Sequence, residues 1–121
     1  MVKSRLVEHA RNTYIECLAG DGLIASENDS LDLVAACGEH LAPRLLISAE
    51  NLPEDFFNLR TGLAGAVLQK FATYMVKVAA VLPPELANQG RFGEMVLESN
   101  RSNRMFHVFS EREKAEAWLV E

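Results

Sequence analysis

The sequence predicts an α/β fold: an N-terminal β-hairpin followed by αβ units, with a mixed, mostly parallel sheet of about five strands and about four helices. Three observations carry this. Two alternating runs near the start are separated only by Arg11-Asn12, which is hairpin spacing. Short apolar runs of strand length then alternate with segments whose apolar residues recur every three or four positions. Glycine and proline punctuate the joints, at Gly20-Asp21-Gly22, Pro43, Pro83-Pro84 and Gly90. At 121 residues the chain suits one core, so 1–121 is read as one domain.

Residues 5–10 and 13–19 read as the hairpin, with Ile15 and Cys17 alternating against Tyr14, Glu16 and Leu18 as in a half-buried strand. Asp29-Ser30 offers an acceptor to the free amides of a helix start, and Leu31, Val34 and Ala35 follow at helical spacing. That helix should stop near Gly38-Glu39-His40. Arg44-Leu45-Leu46-Ile47-Ser48 suits a strand buried on both faces. A long acidic and aromatic connection, 50–58, leads to the strongest helix. Its stripe is Leu63, Val67, Phe71 and Tyr74, flanked by Ala64 and Leu68.

Residues 75–82 form the next strand, ended by Pro83-Pro84 because proline cannot continue the ladder. A modest helix over 91–98 carries Phe92, Met95 and Val96, and 104–109 is the last strand. Ser110-Glu111-Arg112-Glu113 has the form of a capping box opening a final helix with Ala115, Trp118 and Leu119 on its apolar edge. The crossover helices could lie on one face of the sheet or on both, and the hairpin permits a half-exposed face.

Composition excludes several classes. The net charge of −5 argues against a nucleic-acid partner held by phosphate neutralisation, although Arg101 and Arg104 leave room for a local basic surface. The apolar stretches are too short to span a bilayer, and 1–5 lack a signal core. A cytoplasmic, soluble protein with no membrane partner is therefore expected. Cys17 and Cys37 lack metal-type spacing and read as buried, reduced thiols. His9, His40 and His107 are scattered, with His107 read as a satisfied strand residue. No nucleophile elbow, P-loop or dinucleotide glycine pattern occurs, so no catalytic residue, metal ligand or cofactor is assigned. An enzyme would need the loop acids Glu50, Glu54 and Asp55, which read as solvated.

Parallel sheets hold ligands at the carboxyl ends of their strands. Here that edge carries Gly20-Asp21, the loop 50–60, the loop 83–90 and Ser110. The turn Leu59-Arg60-Thr61-Gly62-Leu63 stands out. A helix start exposes unpaired N–H groups and partial positive charge. Arg60 adds a formal charge, Thr61 a hydroxyl, and Gly62 with Gly65 close backbone approach. The plainer alternative has Thr61 or Asn58 capping the helix, Gly65 permitting tight packing and Arg60 in solvent. In Glu98-Ser99-Asn100-Arg101, Asn100 suits a helix C-terminus, and a partner or ligand contact is the alternative. Of Phe56-Phe57, one ring should plug the core while the other covers the sheet edge or meets a second subunit, which leaves a homodimer open.

The segment Phe56-Phe57-Asn58-Leu59-Arg60-Thr61-Gly62-Leu63-Ala64-Gly65-Ala66-Val67-Leu68-Gln69-Lys70-Phe71 resembles the signature of a bacterial family known only as domain of unknown function 4180. Glu98-Ser99-Asn100-Arg101 is similar to that family's second recurring motif. The resemblance runs roughly from Asp29 onward and departs at Val81-Leu82-Pro83-Pro84, where the family has a glycine-containing turn. It implies no activity. The element order is also similar to STAS domains, the anti-sigma-factor-antagonist module. Their D-S-[ST]-G-L motif opens the second helix, and its third residue is phosphorylated. Thr61-Gly62-Leu63 matches [ST]-G-L, whereas Leu59 and Arg60 replace the Asp and first Ser.

That resemblance implies a STAS-like, non-enzymatic regulatory module binding a partner protein through the start of its second helix, with Thr61 as the phosphorylation site. Arg60, Thr61, Gly62 and Leu63 would form the contact, with Glu98, Asn100 and Arg101 as further candidates. The alternative is a small anionic ligand held by Arg60, the 61–63 amides and Asn100-Arg101.

Overall fold

The two alternating runs at the N-terminus pair with each other, and everything after them winds in one direction. In the computed structural model, which describes residues 2–18, 20 and 22–121, β1 (Ser4–Glu8) lies antiparallel to β2 (Thr13–Cys17). Strands β3 (Arg44–Ser48), β4 (Lys77–Val81) and β5 (Phe106–Phe109) then add in parallel, in the order β1-β2-β3-β4-β5. Ala19 and Asp21, expected at the end of the second strand and in the turn after it, lie outside the described residues.

Four long helices match the expected ones: α1 (Glu27–Glu39), α3 (Leu63–Thr73), α5 (Gly90–Ser102) and α6 (Arg112–Leu119). Two short helices, α2 (Glu54–Phe57) and α4 (Pro84–Ala87), sit in segments read as loops, as do single 3-10 turns at Ala49–Asn51 and Leu59–Thr61. The helix expected second is therefore α3.

Three helix ends differ from expectation. The α1 cap is Ser26, whose hydroxyl accepts from Asp29 N, while Asp29 reaches back to Ala25 N at 2.9 Å. Asp29 is thus the acidic arm of the cap, three residues inside. The Ser110 box does not form, since no side chain caps α6. That end is held instead by Arg112 pairing with Glu16. Helix α5 runs past Asn100 because the Asn100 side chain bonds to a strand and does not turn back on its own backbone.

Because the strand order never reverses after β2, right-handed crossovers place α1, α3 and α5 on one face. There Ile15, Leu45, Ile47, Val78 and Val108 meet Leu33, Val67, Phe71 and Phe92. The other face is covered by α6, where Tyr14, Leu46 and Ala79 pack on Ala115 and Leu119. Strand β2 is therefore buried on both faces, and Tyr14 is fully enclosed. Among the described residues no helix is long and apolar enough to cross a membrane.

Helices α1 and α3 end alike. After each, one residue takes left-handed angles, Leu41 (φ 52) and Met75 (φ 58), and the chain closes with Ala42 N to Cys37 O and Val76 N to Phe71 O. This position favours glycine, since a Cβ there costs about 1–2 kcal/mol. Both side chains are exposed, so little packing offsets the strain. Leu41→Gly and Met75→Gly are expected to stabilise the fold by up to about 1 kcal/mol each, glycine's chain entropy taking back part of the gain. Denaturant midpoints that fall in both variants would refute this.

Candidate functional site

The turn before α3 is built from its own side chains. Asn58 Oδ1 accepts from Arg60 N at 3.1 Å, capping the 3-10 turn. The Thr61 hydroxyl lies 2.7 Å from Asp55 O and 2.9 Å from Asn58 O, to which it donates, and it accepts from Leu63 N at 3.2 Å. Gly62 adopts φ 78, left-handed angles open to glycine at little cost. Thr61 is thus the organiser of the turn as well as an exposed residue. Gly65 has a different role from the expected one: a Cβ there would meet nothing within 4 Å, so it permits no close packing.

Below the turn, Phe56 is fully buried and meets Phe57 and Phe92 edge-on, with centroids 5.8 and 6.0 Å away. Phe57 also packs on Phe92, at 5.1 Å. The second ring therefore ties the turn to the start of α5. Between them lies a cleft of about 430 Å3, walled by Phe57 and Phe92 and rimmed by Arg60, Arg91 and Glu54. Gln89 gives α5 no side-chain cap, so the first-turn amides are left without a capping side chain. Arg60, Thr61 and Gly62 are exposed, and Arg60 pairs with no carboxylate among the described residues.

Glu98, Asn100 and Arg101 do not join this surface. They lie in the last turns of α5, roughly 10–15 Å along the axis from Arg91 at 1.5 Å per residue. Asn100 has a structural role there: its Nδ2 donates to Val108 O at 3.0 Å and its Oδ1 accepts from Val108 N at 2.8 Å. One side-chain amide thereby stands in for a neighbouring strand along the open edge of β5. Glu98 pairs with Arg101 on the exposed face of the helix, which holds the Glu98 carboxyl below its usual range.

A second opening of about 200 Å3 lies at the carboxyl ends of β2 and β3 on the α6 face, beside Ser48, Glu50 and the Glu16–Arg112 pair. Arg5 donates to Glu16 from Nε at 3.0 Å and from a terminal nitrogen at 2.8 Å, while Arg112 takes the other carboxylate oxygen. The bond from Arg112, aided by Arg5, holds Glu16 below the usual carboxylate range against the opposing effect of burial. Tyr14 donates to Glu116 nearby, and burial followed by that carboxylate pushes its phenol up to about 12. Sequence spacing hides this network, because its members come from two strands and a helix a hundred residues on. A strand glutamate flanked by apolar neighbours was its one visible trace.

The depressed Glu16 carboxyl stabilises the fold above the unfolded glutamate pKa of about 4.3, and the contribution is lost as pH falls through the folded value. Glu16→Gln should therefore cost about 1–2 kcal/mol at neutral pH, with the gap to wild type closing below about pH 4. Urea titrations at several pH values would show it; a gap independent of pH would contradict this role.

Burial pushes the Cys17 thiol up to about 12 and the Cys37 thiol up to about 11, leaving both as inert core residues at neutral pH. His107 stacks on Trp118 at 4.3 Å with Nε2 2.6 Å from Asn103 O, so it is satisfied as expected. Asn51, in the connection that follows β3, is fully buried. It accepts from Ser48 N and donates to Leu18 O at 3.0 Å, joining the ends of β2 and β3.

Fold and site together define an α/β protein with a five-stranded mixed sheet and an exposed, side-chain-organised turn where a parallel strand gives way to its crossover helix. The chain belongs to the family described as Domain of unknown function (DUF4180), whose model matches residues 9–119. The match begins at His9, just after β1, and so takes in β2, further back than the resemblance read from about Asp29 onward. No curated protein and no solved structure matches the chain.

Proposed function

We propose that this protein is a non-enzymatic, STAS-like regulatory module, acting as one domain over 1–121, that binds a partner protein through the turn at the start of α3. Phosphorylation of Thr61 controls that contact. One observation carries the reading: the exposed Thr61 oxygen is the atom that organises the turn, with two acceptors beneath it and one donor beside it. A phosphoryl group on that oxygen removes the donated bonds and adds roughly −1.5 to −2 charges next to Arg60. Modification therefore changes both the shape and the charge of the surface.

Affinity capture from the native cell tests this with wild type, Thr61→Glu and Arg60→Glu as baits. Arg60→Glu reverses the charge but leaves the Thr61 bonds in place. A protein retained by wild type and lost from both variants is the expected outcome, with far-ultraviolet circular dichroism unchanged. Identical capture by all three baits would overturn the proposal.

The cleft beside the turn favours a second reading. Arg60, Arg91 and the uncapped first turn of α5 offer three sources of positive potential to a small anion, opposed by Glu54. In that case a carboxylate or phosphate metabolite would raise the melting temperature with concentration, and Arg91→Gln would abolish the rise.

A further inference from the structure

The opposite end of α5 carries a separate basic cleft. Its volume is about 480 Å3, and it lies where the last turns of α5 and α6 meet the amino ends of β4 and β5. Lys77, Arg101, Arg104 and His107 line it together with Trp118, and Glu121 is the one acid among the described lining residues. Three formal positive charges gather here in a chain whose net charge is −5.

Part of this cluster has an internal explanation. The C-terminal turns of both helices present bare carbonyls, which attract cations. Lys77 Nζ accordingly donates to Trp118 O at 2.7 Å and sits 4.4 Å from the centre of the Trp118 ring. His107 meets Asn103 O. The two arginines have no such role. Arg104 makes no side-chain hydrogen bond or ion pair among the described residues, and Arg101 has only the solvent-exposed pair with Glu98, a type worth little. Partial burial lowers the pKa of Lys77, so its charge is held in a poorly solvated position, with Glu121 partly compensating.

We propose that this cleft binds a dianionic phosphate group, free or as the ester of a small molecule, through Arg101 and Arg104 with Lys77 behind them. Guanidinium forks match phosphate oxygens in pairs, and a doubly charged group is what can draw Arg101 from its exposed pair with Glu98 while outweighing Glu121. The site shares no residue with the turn at 58–63, so it stands or falls apart from the partner-binding reading.

Trp118 is the only tryptophan in the sequence and forms one wall of the cleft, so its fluorescence reports occupancy directly. The full chain is titrated with inorganic phosphate and with glycerol 3-phosphate, against sodium chloride at matched ionic strength. The expected result is a saturable emission change with either phosphate and none with chloride. A stronger response to glycerol 3-phosphate would assign the site to an ester, an equal one to the free anion. Arg104→Gln should weaken binding about tenfold, the equivalent of one charge-assisted hydrogen bond, and Glu121→Gln should tighten it. Both substitutions are at exposed positions, and circular dichroism checks that the fold is intact. No saturable change above chloride, or equal affinity in wild type and Arg104→Gln, would overturn the proposal.

Discussion

Phe56→Ala is expected to destabilise the protein by about 3–5 kcal/mol, a large part of the total stability of a domain this size. The ring is fully buried and is the hub of an edge-to-face trio with Phe57 and Phe92. Removing it leaves a cavity beneath the turn and takes away the ring through which α2 rests on the start of α5. A melting temperature lower by roughly 10–20 °C should follow. Hydrogen exchange should also speed up first at 54–63, ahead of the strands. A drop of only a few degrees would mean that the turn is not anchored by this ring.

Gly93→Ala is the second large effect, and its sign opposes intrinsic helix preference. In an open helix interior, alanine gains close to 1 kcal/mol over glycine. At Gly93, however, a Cβ would lie 2.6 Å from Asn88 C and 2.8 Å from Asn88 O. Those are backbone atoms of the tight entry into α5, and they cannot rotate away. The entry must open, at a net cost of about 2–3 kcal/mol, and Gln89 to Phe92 would shift at the edge of the cleft. Gly65 supplies the control, being helical with nothing within 4 Å of its would-be Cβ. Gly65→Ala should be neutral or stabilising. Similar denaturant midpoints for the two alanine variants would contradict the packing described for α5.

The contrast between these glycines shows what the sequence could and could not convey. Both sit at helical spacing among apolar residues, and the sequence suggests close approach at Gly65, in the family motif. Which glycine faces a neighbouring backbone depends on how α4 turns into α5, a geometry no periodicity records. The strands and long helices were legible because each has its own pattern: alternation in 13–17, an unbroken apolar run in 44–48, a 3.6-residue stripe from Leu63 to Phe71. The placement of α1, α3 and α5 on one face followed only once the strand order was known.

At the candidate site, the location of the turn was legible and its construction was not. Asn58 caps the 3-10 turn by accepting from Arg60 N, and the Thr61 hydroxyl accepts from Leu63 N, the first amide of α3, while α3 itself opens on Gly62. Arg91 went unnoticed because it lies thirty residues beyond Arg60 and reaches the cleft only through the Phe57–Phe92 contact. Asn100 was recognised as special for the wrong reason. An asparagine near a helix end suggests a left-handed cap, while its partner across space, Val108, belongs to a strand whose neighbour the sequence cannot name.

The most direct test of the central claim is hydrogen–deuterium exchange on the full chain, alone and with the protein captured by the wild-type bait. Protection concentrated at 55–63 and 89–92, and absent when the chain carries Thr61→Glu, is the predicted result. Protection centred elsewhere, for instance on the exposed Leu41 and Met75 at the other end of the helices, would contradict the account and move the partner surface to that edge.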